Sequence, residues 1–295
     1  MADNRLNLEQ KSRKFRRKNK SLVKRLLSYL IPAAIGIIFL AWIVLPMSMA
    51  FLWSAVNPDY PWSYPQPFPQ NINFYHWGYV FQYTGILKAM KNSFIVAGAT
   101  ILATFLLALP TAYAIGRSSI KGKELFKLIM LFPIAFPGMS LALFLGRLLF
   151  MQGFSGTYTG IIIAHTLIGL PYMLRILTVS FETMPQELID AAKNLGAKRF
   201  TTFMEIYLPM IMPGLIAGAI FVFTQSMEEF TMSFIIGAPN IHTIPTILYS
   251  YLGYNFLRTT ASVVSLILVI PNITLLFITE RTVKMEYMGA ALGKM

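Results

Sequence analysis

The sequence contains no cysteine. That excludes disulfides, thiolate chemistry and cysteine-ligated metals, and it leaves the redox compartment open. Histidine is scarce: His76, His165 and His242 stand far apart, with no HExxH arrangement to hold a catalytic metal. A G-x-S-x-G nucleophile elbow is missing too. The nearest thing to a nucleotide loop is GRSSIKGKE at 116–124. It has one residue too many between its glycines, and Glu124 stands where a magnesium-binding Ser or Thr belongs. Acidic side chains are few, 12 against 25 basic ones, and charged residues make up only 13% of the chain. The chain is expected to be no enzyme and to bind no cofactor or metal.

What is present is apolar. Of 295 residues, 56% are hydrophobic, and the mean hydropathy is +0.59. That composition suits a polytopic membrane protein. The basic start is long, and the apolar run after it is long enough to span a bilayer, so no cleavable signal peptide is evident. The formal net charge of +13 sits in tails and loops, where excess Lys and Arg mark the cytoplasmic side. The basic cytoplasmic tail, 1–28, is the densest case. A partly disordered, lipid-touching tail explains it more simply than a nucleic-acid arm, so no nucleic-acid partner is expected.

The expected fold is all-α and integral to the membrane. Six transmembrane helices lie near 29–53, 93–115, 125–150, 159–180, 209–236 and 259–279, with both termini cytoplasmic. Together they make a permease domain at 29–280, followed by a cytoplasmic tail at 281–295. Residues 57–83, rich in proline and aromatics, read as an external loop with little regular structure. Residues 237–256 read as a second outer loop. The third span contains Pro133, Pro137 and Gly138. These are either a packing kink or a broken helix lining a pathway.

Between spans four and five lies a polar island, TMPQELIDAAKNLGAKRFTTFMEIYLP at 183–209. Thr183 and Gln186 have capping-box spacing, and Glu187 and Asp190 suit the first turns of a helix. Leu188, Ala191, Ala192 and Leu195 recur at i, i+3, i+4, i+7 and form one shallow apolar face. Gly196 suits the stop. A second helix then enters the membrane at Leu208 and Pro209. Pattern alone leaves two readings: a helix lying on the lipid surface, or one docked into another protein.

The order Asp190, Ala191, Ala192, then Gly196, Ile206, Leu208 and Pro209 resembles the EAA loop of type I ABC importer permeases, with Asp190 where that family usually has Glu. The resemblance covers essentially the whole chain after residue 28. It implies a coupling helix at 183–209 that docks on an ATPase through Glu187, Asp190, Ala191, Ala192, Gly196, Ile206, Leu208 and Pro209. It also implies a second permease subunit of different sequence, two ABC ATPase subunits, an external solute-binding protein, and a place in the cytoplasmic (inner) membrane. A membrane scaffold or sensor that transports nothing is the competing reading.

The segment SMEEFTMSF at 226–234, with Gly237, Pro239, Thr243 and Pro245 after it, resembles the polyamine branch of these permeases. That branch also handles phosphonates, opines, iron and thiamine. A cationic cargo would give Glu228 and Glu229 a physical role. Sugar permeases usually carry a Trp-Asn pair here, which this chain lacks. Its proline-aromatic outer loop and its ending GAALGK at 289–294 are nevertheless similar to theirs, so a carbohydrate remains the alternative. Ionisable groups at membrane depth usually face a bundle interior or water. The candidate pathway residues are therefore Pro137, His165, Ser226, Glu228, Glu229 and Ser233.

Overall fold

The computed structural model describes the backbone of residues 2–118 and 121–292. Side chains are described for 28–118, 121–253 and 255–278. Among these residues the secondary structure is helical, with one isolated antiparallel bridge between Val56 and Ile72. The chain divides into two units, Met1–Leu52 and Trp53–Met295.

The first unit belongs to α1 (Ala2–Ser54). Its helical backbone starts at Ala2, where the sequence suggested a partly disordered tail. Lys, Arg, Gln, Glu and Leu dominate there, and all are good helix formers. Within α1, Ser28–Ser54 is long and apolar enough to cross a membrane.

Among the described residues the second unit holds twelve more α-helices: α2 (Tyr75–Tyr83), α3 (Ile86–Arg117), α4 (Lys123–Met130), α5 (Phe132–Ala135), α6 (Gly138–Met151), α7 (Tyr158–Glu182), α8 (Gln186–Asn194), α9 (Arg199–Thr202), α10 (Leu208–Glu228), α11 (Thr231–Gly237), α12 (Ile244–Tyr249) and α13 (Arg258–Leu292). Four stretches here have membrane-crossing length and apolarity: Ile86–Arg117, Tyr158–Glu182, Arg199–Glu228 and Arg258–Ile278. With α1 that makes five among the described residues. The sixth expected crossing is divided. α6 has only 14 residues, roughly 21 Å of helix against about 30 Å of hydrocarbon. Its partners α4 and α5 precede it, and the interruptions fall where proline dictates. Pro133 stands in the first turn of α5, and Pro137 immediately precedes α6. Both are positions where a missing N–H costs nothing.

α3 and α7 form the centre. Ala108 and Ala112 on α3 are fully buried against Met173, Leu177 and Phe181 of α7, since small side chains let two backbones approach. α10 closes on α7 through Gly214 and Gly218. A Cβ on Gly214 would stand 2.0 Å from Ser180 Oγ, and one on Gly218 2.5 Å from Met173 Sδ. Gly214 and Gly218, four residues apart, thus form a close helix–helix contact face. A second cluster joins α2, α3, α10, α12 and α13 around Met227, Ile244 and Val264. A third joins α6, α7 and α11 around Ile161, Met232 and Ile236.

Several boundaries differ from the sequence reading. Residues 57–83 hold regular structure, because α2 packs Val80 into the second cluster. α3 starts at Ile86, seven residues early. Its Asn92 and Ser93 are satisfied inside the fold, bonding to His242 O and accepting from the Ile244 N–H. The fifth span does not run unbroken to residue 236: α10 stops at Glu228, and Glu229 is extended (φ −72°, ψ 102°). α13 continues past residue 279 to Leu292.

Candidate functional site

The island at 183–209 folds as a short helix between two turns, but its start differs from the expected capping box. Thr183 Oγ1 turns back to donate to Val179 O (3.0 Å), finishing α7. Pro185, extended at φ −60° and ψ 130°, is the residue that begins α8. Proline pre-sets that geometry and makes a side-chain cap unnecessary. Gln186 instead donates to Asp190 Oδ1 (2.9 Å). Glu187 sits in the first turn, where the helix dipole favours it. Asp190 also lies 3.6 Å from Lys193, an exposed pair of little energetic weight.

The stop is as expected. Gly196 takes φ +79°. Its N–H bonds to Lys193 O (2.9 Å), and the Ala197 N–H reaches Ala192 O (3.0 Å). That pair of bonds is a Schellman motif.

α8 has two apolar sides. Ile189 is 1% exposed and packs with Phe181, Tyr207 and Ile211, while Ala192 is half-buried. Leu188 and Leu195 are 48% and 88% exposed, and Ala191 is open between them. Three members of the expected face thus point outward, and the anchor, Ile189, is one the spacing did not select.

Past α9 the backbone widens into a π turn, Phe203–Tyr207. The Leu208 N–H bonds five residues back to Phe203 O. Pro209 explains this: it has no N–H for Glu205 O, and its ring would collide with that carbonyl in an α-helix. Ile206 and Leu208 are half-buried and Pro209 is exposed.

Three of the six pathway candidates come together. His165 Nδ1 lies 2.8 Å from Ser226 Oγ, and Nε2 lies 3.0 Å from Ser233 Oγ. All three side chains are buried. They tie α7, α10 and α11 together across the break. The other three stand apart. Glu229 Oε1 accepts the Met232 N–H (3.0 Å) and so caps α11. Glu228 is exposed and accepts from Asn272 Nδ2 (3.1 Å). Pro137 lies exposed at the start of α6. The two carboxylates point differently, as adjacent residues should, and the helix ends between them.

Sequence reasoning missed Arg117, Tyr113 and Tyr207, which meet beside α8, and Asn272, which meets Glu228. By sequence Arg117 is one more basic residue near a loop, of the kind that marks the cytoplasmic side. Sequence reasoning also missed a cavity of about 180 Å³ between α4 and α7, lined by Met130, Pro171, Leu174 and Arg175. At its rim Lys127 pairs with Glu182 at 2.9 Å.

This architecture has known counterparts. The chain is 26% identical over 197 residues to a molybdate/tungstate transport system permease protein of Thermococcus kodakarensis, covering 67% of this chain and 73% of that one. It is 27% identical over 193 residues to a spermidine/putrescine transport system permease protein of Escherichia coli K12, covering 63% and 73%. Its fold matches a chain from the crystal structure of a bacterial ABC transporter involved in import of the acidic polysaccharide alginate. There the TM-score is 0.69, with 17% identity over 85% of this chain and 95% of that one. The model of the family described as binding-protein-dependent transport system inner membrane component matches residues 83–284. The chain therefore belongs to that family: it is a multi-pass inner-membrane permease subunit of an ABC importer, which moves solute and leaves ATP hydrolysis to separate subunits.

Proposed function

We propose that this chain forms half of a translocation pathway beside a second, non-identical permease. An external binding protein supplies the solute, and two ATPase subunits seat on α8. On the expected topology of six crossings with both ends cytoplasmic, α8 lies on the ATPase side. The observation that carries the reading is the division of α8. Ile189 is buried in the side-chain cluster of the helical bundle, while Leu188 and Leu195 stand exposed on a helix closed at both ends. A helix lying on lipid would need no such buried anchor. Exchanging Leu195 for Asp tests this in the complete transporter. The ATPase subunits should then fail to co-purify while the permease still accumulates, and retention of the ATPases would remove the assignment.

For cargo we propose a small charged solute, with a polyamine-like cation as the first reading. Glu228 supports it, as an exposed carboxylate where α10 ends. A low-dielectric vestibule strengthens such charge pairing. A second reading, an oxyanion, is favoured by the molybdate/tungstate relative and by Arg147 and Arg175, exposed cations on α6 and α7. Carbohydrate remains the third. Thermal-shift screening of the cognate binding protein against spermidine, molybdate and maltose separates them. Glu228→Gln should slow uptake only of a cation. Unchanged spermidine uptake in that variant would end the polyamine reading.

A further inference from the structure

Arg117 is the last residue of α3, and its guanidinium reaches the ends of three other elements. Nη1 donates to Met184 O (2.9 Å) and Phe181 O (3.4 Å), backbone carbonyls at and just beyond the end of α7. Nη2 donates to Gln186 Oε1 in the first turn of α8. The same group lies 6.0 Å from the ring centroid of Tyr207, in the π turn that leads into α10. Only a planar, multi-donor cation can hold these partners at once, whereas a lysine offers a single point charge.

The surroundings are rigid. A Cβ on Gly116 would stand 2.7 Å from Phe181 Cβ, so α3 and α7 touch immediately beside Arg117. Tyr113 meets Phe181 and Tyr207 edge-on, at 5.5 and 5.3 Å between centroids. One ring therefore comes from each of α3, α7 and the lead-in to α10, and Ile189 of α8 packs in the same cluster.

α8 has nine residues, and within its own sequence Ile189 is its one buried side chain. A load on its outer face would rock it about that single apolar contact. The bonds from Arg117 add a second, directional attachment on the turn that carries α7 into α8. We propose that Arg117 is the positioning residue that makes α8 and the ends of α3, α7 and α10 move as one body. A displacement of α8 then reaches three membrane helices together. This rests on the reading that ATPase subunits seat on α8.

The test uses the complete reconstituted transporter with its binding protein. Arg117→Ala, Arg117→Lys and Gln186→Ala are compared with the unmodified protein. Four quantities are read: ATPase co-purification, thermal midpoint of the solubilised complex, basal ATPase rate, and the increase in that rate on adding loaded binding protein. Expected for Arg117→Ala is full co-purification, an unchanged midpoint and a stimulated increment lowered roughly tenfold, within the usual range of coupling between sites. Arg117→Lys should be lowered nearly as far, because it keeps the charge and loses the fork. Gln186→Ala, which spares both carbonyl bonds, should fall in between.

A normal increment in Arg117→Ala and Arg117→Lys overturns the proposal. So does a parallel loss of co-purification or midpoint, which would make Arg117 a part of the loop's shape alone. If Arg117→Ala does not accumulate, Arg117→Lys decides by the same criteria. If the unmodified complex binds its ATPases elsewhere than α8, it is the docking assignment that fails.

Discussion

Gly116 on α3 and Phe181 on α7 leave no room between them. A Cβ at Gly116 would stand 2.7 Å from Phe181 Cβ and 3.1 Å from Thr178 O. Neither neighbour can swing away, since one is the root of a buried side chain and the other is backbone. Gly116→Ala should therefore force α3 and α7 apart and lower stability by about 1–3 kcal/mol. Thermal unfolding in detergent measures this, and an unshifted midpoint would show that the helices can separate freely there.

Ile189 and Leu195 lie on one helix and should behave oppositely. Ile189→Ala empties a fully packed position, with an expected loss of about 2–5 kcal/mol. Leu195→Ala removes a side chain that is 88% exposed and should leave the midpoint of the isolated permease unchanged. In the assembled transporter the order reverses for Leu195, whose shortening should loosen ATPase subunits. Equal midpoint losses for the two variants would mean that α8 is not two-faced.

Gly196 offers a purely conformational test. Nothing stands within 4 Å of a Cβ built there, yet its φ is +79°. Gly196→Ala should then cost about 1–2 kcal/mol through backbone strain alone. Gly196→Asn should recover much of that, because Asn tolerates the left-handed region. Coupling measured as binding-protein-stimulated ATPase should follow the same order: Gly, Asn, Ala. If Asn performs no better than Ala, the turn needs more than a positive φ.

His165 is enclosed, with 0% of its surface exposed. His165→Leu keeps the bulk and removes the bonds to Ser226 and Ser233. Bonds of this kind within membranes are worth roughly 0.6 kcal/mol each and at most about 1.7, so the expected loss is about 1–3 kcal/mol. The KM for uptake should stay constant, since an enclosed ring touches no solute. A changed KM would show that His165 borders the solute pathway.

The helical class and most crossings were legible because a bilayer imposes a length and a composition that leave a direct mark on sequence. Gly196 was legible because a left-handed stop is local chemistry. The capping box at Thr183 failed for a local reason as well: Pro185 offered a competing start one residue before Gln186. Ile189 was hidden because a nine-residue helix shows a second apolar side only once its neighbours are known. His165, Ser226 and Ser233 were chosen for their cost at membrane depth, and that reasoning found the cluster. It could not tell a closed joint from an open lining, since both satisfy polar groups away from lipid. Arg117 was not legible because its partners are backbone carbonyls some 64 to 67 residues away, which no spacing rule encodes.

The π turn at Phe203–Tyr207 amounts to one surplus residue wound into a helix that otherwise runs from Arg199 to Glu228. An α-helix advances about 100° per residue, so this surplus sets the angular phase between the Tyr207 cluster and everything beyond Pro209. Removing a single residue from that turn would leave the composition and the crossing length almost untouched. It would nevertheless rotate α8 and its exposed leucines by more than a quarter of a revolution relative to α10. The chain thus carries an indexing mark, and a subunit lacking it would present a well-formed helix facing the wrong way.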